Sequence, residues 1–137
     1  MNTRTLFRLL VILGLASGLL ASVLDQMIQD PILAGLKSDV REAIDALPAW
    51  RTVTVGFAGL IAIASYLVAS IGLLLLRGWA RPLYVLAHAL VLFGYLLGVP
   101  VVYGNFAFTF NELSMLTGGM VIAMMYLEPM ASILCRK

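Results

Sequence analysis

Arg77-Gly78-Trp79-Ala80-Arg81-Pro82 is a short basic turn between two long apolar runs. Before it, Thr52 to Leu76 carries no charged residue; after it, Pro82 to Phe110 is a second run without Asp, Glu, Lys or Arg. In water such a hairpin leaves more apolar surface than a chain of 137 residues can hide. In a bilayer it is two transmembrane helices joined at the membrane face, since a span needs about 20 mostly apolar residues.

The whole chain fits that setting. It is 62% hydrophobic and 12% charged, with a mean hydropathy of +1.02, which leaves room for four spans and no soluble domain. A net charge of +2 is too small and too dispersed for a nucleic-acid partner. Cys135 is the one cysteine and His88 the one histidine. They exclude an internal disulfide, a cysteine-built metal site and a bis-histidine haem, so neither cofactor nor metal is expected.

Working outward, the first span is expected at about 6–28, behind Arg4 and Arg8. A cleaved signal peptide is the competing reading, with Ala16-Ser17-Gly18 or Ala21-Ser22-Val23 as cleavage marks. A retained helix is favoured: no Ala-x-Ala follows, and Gly14, Gly18 and Ser22 recur every fourth residue, a spacing that lets membrane helices approach closely. An amphipathic helix follows at about 31–47, with Asp30 as N-cap, Pro31 at the first position and Leu33, Leu36, Val40, Ile44 and Leu47 along one face. It lies on the bilayer surface or caps the bundle.

The second span, about 52–76, carries a seam of small residues for helix packing: Ala58, Ala62, Ser65, Ala69 and Gly72. The third is expected at about 82–103, kinked or ended by Pro100, with a loop of alternating aromatics over Val101 to Phe110. Thr109-x-x-Glu112 reads as a capping box that starts the fourth span, about 110–134.

The expected architecture is therefore an all-α membrane protein. One domain, 1–137, forms a four-transmembrane-helix bundle with a short extracytoplasmic amphipathic helix between its first two helices. Four spans put Arg4, Arg8, Arg77, Arg81, Arg136 and Lys137 on one side, six of the nine basic residues. By the positive-inside rule that side, with both termini, is cytoplasmic, in a membrane read as a bacterial cytoplasmic membrane.

One polar constellation falls within the apolar runs. Counted from the cytoplasmic face, His88 and Glu128 come to about 9 Å and at most about 12 Å depth, with Ser70 and Tyr84 nearby. Intramembrane ionisable groups are candidates for a proton or cation path. The favoured alternative is structural: Glu128 pairs with Arg77 or Arg81 at the membrane face, and His88 bonds a neighbouring carbonyl or serine. The expected function is accordingly non-enzymatic. The protein acts by binding, as an accessory, regulatory or protective subunit of a membrane complex. The alternative is a small oligomeric transporter or channel using Glu128 and His88. Besides the lipid bilayer, the expected partner is a membrane protein or a second copy of the chain.

Overall fold

The computed structural model describes residues 2–28, 31–97, 101–128 and 130–135, apart from the side chain of Cys135. Among these residues every regular element is helical: α1 (Thr3–Met27), α2 (Pro31–Asp45), α3 (Ala49–Leu74), α4 (Ala80–Leu96), α5 (Asn105–Tyr126) and α6 (Met130–Cys135). Three of them, α1, α3 and α5, are long and apolar enough to cross a membrane; α4 is a shorter apolar helix of 17 residues. Large apolar side chains cover the outside, with Leu60 67% and Leu96 83% exposed. A surface this apolar calls for an apolar surrounding.

Four long helices pack as two pairs. α1 lies along α5 and α3 lies along α4, and the pairs meet each other through fewer contacts, chiefly α1 with α3 and α4 with α5. Within the first pair, Ser114 Oγ donates to Gly14 O at 2.9 Å. Such an interhelical bond contributes about 1 kcal/mol in a membrane. The close approach comes from small residues: a Cβ at Gly14 would lie 2.9 Å from Thr117 Oγ1, and one at Gly18 would lie 3.2 Å from Ser114 Oγ. Along α3 the seam residues Ala58, Ala62, Ser65, Ala69 and Gly72 are all buried.

The hydrophobic core sits at one end of the bundle. Phe7 and Val11 of α1, Ala69 and Leu73 of α3, Ala80 and Tyr84 of α4, and Val121 and Met125 of α5 form it, and Met130 and Leu134 of α6 complete it. All lie toward the Arg77–Arg81 turn, hereafter the basic end. There α3 stops in a Schellman arrangement: Arg77 N donates to Gly72 O at 2.8 Å and Leu76 N to Leu73 O at 2.9 Å. Leu76 takes the left-handed position at φ 55°, which glycine usually fills. Two arginines lace this end together. Arg8 Nε donates to Leu74 O at 3.1 Å, joining α1 to α3. Arg81 Nη2 donates to Met125 O at 2.5 Å, and its guanidinium lies 4.7 Å from the centroid of the Tyr126 ring.

The opposite end is held differently. Asp25, near the end of α1, receives Lys37 Nζ of α2 at 2.8 Å and Gly104 N, just before α5, at 3.3 Å. α2 buries no residue. Leu33, Val40, Ile44 and Leu47 are half-buried, whereas Leu36, expected on the same face, is 50% exposed. The expected N-cap, Asp30, lies outside the described residues.

Three expected boundaries are corrected. α5 begins at Asn105, so Thr109 and Glu112 lie inside the helix; Thr109 Oγ1 bonds back to Asn105 O at 2.9 Å and caps nothing. A hydroxyl within an apolar helix finds its own i−4 carbonyl, and that bond wins over the capping box. The aromatic stretch 101–110 is correspondingly a loop only over 101–104, with Phe106, Phe108 and Phe110 on α5. Likewise the helix expected over 82–103 runs from Ala80 to Leu96, and 101–104 is not helical. Finally, the span expected over 110–134 is two helices, broken at Leu127 and Glu128. α6 folds in against the basic turn, where a Cβ at Gly78 would collide with Leu134 O. Buried Met130 and Leu134 hold it there.

Candidate functional site

Because the core occupies the basic end, the two helix pairs leave room between them at the other. A cleft of about 390 Å³ opens there. Its walls come from both pairs: Leu15 and Leu19 of α1, Ile63 and Leu67 of α3, Val91 of α4 and Met115 of α5. The volume falls within the range of small-molecule sites. No charged side chain lines it.

Five side chains with polar atoms do: Ser22, Tyr66, His88, Asn111 and Ser114. Three of them are engaged: Ser22, Ser114 and His88. Ser22 Oγ donates to Gly18 O at 3.1 Å, and Ser114 Oγ donates to Gly14 O. His88 Nδ1 lies 3.0 Å from Tyr84 O. A carbonyl only accepts, so Nδ1 carries a proton there. The Nε2 edge faces α5, where a Cβ at Gly118 would collide with it. Tyr66 Oη is fully buried without a hydrogen-bond partner among the described residues, 3.3 Å from where a Cβ on Gly14 would stand. Asn111, half-buried on α5, makes no hydrogen bond through its side chain among the described residues.

The closed side of the cleft is aromatic. Tyr66 and Tyr84 are 5.4 Å apart by ring centroid, Tyr84 and His88 4.6 Å, and Tyr66 and His88 5.8 Å in an edge-on contact. The i, i+4 spacing of Tyr84 and His88 on α4 puts both rings on one face, against Tyr66 of the antiparallel α3. Ser70, four residues past Tyr66, is fully buried; its Oγ and the hydroxyl of Tyr84 have no hydrogen-bond partner among the described residues.

Of the residues singled out for a proton or cation path, the structure brings Tyr84 and His88 into ring contact and buries Ser70 on the same helix pair. Glu128 stands apart. It is exposed in the break between α5 and α6, ten residues on from the Gly118 that touches His88, or about 15 Å along a helix. The expectation that the two share one level is corrected. Counting depth back from Arg136 assumed one straight helix, and the chain turns at Glu128 instead. The expected ion partners behave differently too: Arg81 reaches Met125 O and the Tyr126 ring.

Gly14 and Gly18 face α5, whereas Ser22 is exposed at the cleft. Arg4, Arg8 and Arg77 are exposed, Arg81 is half-buried, and Arg136 and Lys137 lie outside the described residues. Sequence reasoning missed Tyr66, Asn111, Ser114 and Thr117. The last two carried a signal, being small hydroxyl residues four and one positions before Gly118, in the stretch of α5 that also holds Gly119. Among the described residues no group of three or more His, Cys, Asp or Glu side chains is placed to hold a metal ion. Comparison with protein-family models, with curated proteins and with solved structures finds no match to this chain.

Proposed function

We propose that this is a four-span integral membrane protein that works by binding within the bilayer, as a non-catalytic accessory, regulatory or protective subunit of a membrane complex. The observation that carries the proposal is the cleft. Helix pairs sealed at one end and parted at the other give a preformed concavity with apolar walls, at the level where α1, α3, α4 and α5 run side by side. A concave, largely apolar and preformed site is the usual form of a small-molecule binding site, which supports a role in binding.

Four crossings follow from treating α4 as a span. Its 17 residues rise about 25 Å, at the short end of what crosses a bilayer. The six basic residues Arg4, Arg8, Arg77, Arg81, Arg136 and Lys137 then share one face, which the positive-inside rule makes cytoplasmic in a bacterial cytoplasmic membrane. On that orientation the cleft lies in the outer half of the bilayer.

Purification from the native membrane in a mild detergent, followed by intact-mass measurement, tests the proposal. A foreign membrane subunit in fixed stoichiometry is the expected result. A homo-oligomer carrying nothing else contradicts it and returns weight to transport.

A further inference from the structure

The polarity of the cleft is graded along its length. Asn111 lies seven residues before Gly118, the residue against His88, which places it about 10 Å nearer the Asp25 end of the bundle. Deeper in, the rings of Tyr66 and His88 close the cleft, with their hydrogen-bonding atoms buried or turned toward neighbouring helices. The hydroxyls of Ser22 and Ser114 are committed to carbonyls of α1. That leaves two uncommitted polar groups, the Tyr66 hydroxyl buried at the closed end and, at the open end, the Asn111 amide, which offers one acceptor and two donor hydrogens. An amide facing apolar walls without a partner favours a ligand that can bond to it.

We infer that the cleft binds a neutral, membrane-dissolved molecule with a hydroxyl head, held by Asn111, and an apolar body that fills the space down to Tyr66 and His88. Neutrality follows from a lining without a charged side chain, since a charge buried there would have no counter-charge. A hydroxyl matches the amide because it donates to Oδ1 and accepts from Nδ2 of the same residue. The head lies toward the membrane surface and the body toward its middle, so the ligand keeps the orientation it has in the bilayer. On α3 the lining runs from Gly59 to Leu67, about 12 Å, the length of a chain of roughly ten carbons. The inference rests on the proposed binding function and names its ligand class.

The test is equilibrium partitioning of radiolabelled decan-1-ol between phosphatidylcholine nanodiscs with and without the full chain, with decane and decanoate as comparisons. Saturable uptake of one decanol per chain is expected, at least tenfold stronger than for decane or decanoate. Gly59 lines the cleft and a Cβ there meets nothing within 4 Å, so G59L, which adds side-chain volume to that wall, is expected to abolish uptake. N111L removes the preference for decanol over decane, and N111Q keeps it. Absence of saturable uptake overturns the inference. So does equal uptake of decane, which marks a groove for lipid chains, or stronger uptake of decanoate, which marks a charged-head site. Uptake unchanged in G59L places the ligand elsewhere and also overturns it. A foreign subunit that copurifies while decanol fails to bind leaves the proposed function standing and removes only this ligand.

Discussion

The imidazole of His88 lies so close to Gly118 that a Cβ on that glycine would collide with Nε2. This contact joins α4 to α5, the pairing through which the α3/α4 hairpin meets the α1/α5 pair on one side. It sits at the waist of the bundle, between the core at the basic end and the cleft at the other.

Gly118→Val is therefore expected to push the histidine ring from its place against Tyr66 and Tyr84 and to separate the pairs. Overpacking of this kind costs about 1–3 kcal/mol. The thermal midpoint of the protein in detergent should fall clearly for Gly118→Val. Gly119→Val should leave it nearly unchanged, because a Cβ there meets nothing within 4 Å.

Arg81 anchors α5 twice, through Met125 O and through the Tyr126 ring. Arg81→Met keeps much of the aliphatic stem and removes both contacts. Loss of a charged hydrogen bond with its cation–π partner corresponds to about 2–3 kcal/mol. The midpoint should drop accordingly, and Arg81→Lys should recover only part of it, since an ammonium lacks the planar guanidinium.

The Asp25–Lys37 pair holds α2 to α1, with the two side chains 24% and 36% exposed. A partly exposed pair contributes about 1 kcal/mol or less. Asp25→Asn should consequently leave global stability almost unchanged while increasing hydrogen exchange of α2, which buries no residue of its own. Reversing both charges together should restore the pair without restoring the bond from Gly104 N, so protection should return only in part.

Much of this organisation was legible in the residues. The apolar runs around Arg77–Arg81 announced helices, and the amphipathic pattern after Pro31 marked α2. The spacing of Ala58, Ala62, Ser65, Ala69 and Gly72 traced the face that α3 buries. Other features were not legible, for physical reasons. Helix pairing is non-local: nothing in the run around Gly14 and Gly18 says that its partner is Ser114 and Thr117, a hundred residues away. In a chain meant for lipid, outward and inward positions are equally apolar, so periodicity does not show where a core ends and a cleft begins. Glu128 looked deep because depth was counted along a straight helix that the chain abandons at that residue.

The four-span topology requires α4 to cross the membrane, and cysteine accessibility in intact cells tests that most directly. In a Cys135→Ser background, single cysteines replace Asn2, Ser38 and Val101, all exposed positions. Four crossings predict that Ser38→Cys and Val101→Cys react with an impermeant maleimide from outside, and that Asn2→Cys reacts only after permeabilisation. Protection of Val101→Cys alongside Asn2→Cys would mean that α4 does not cross, and would contradict the four-span bundle.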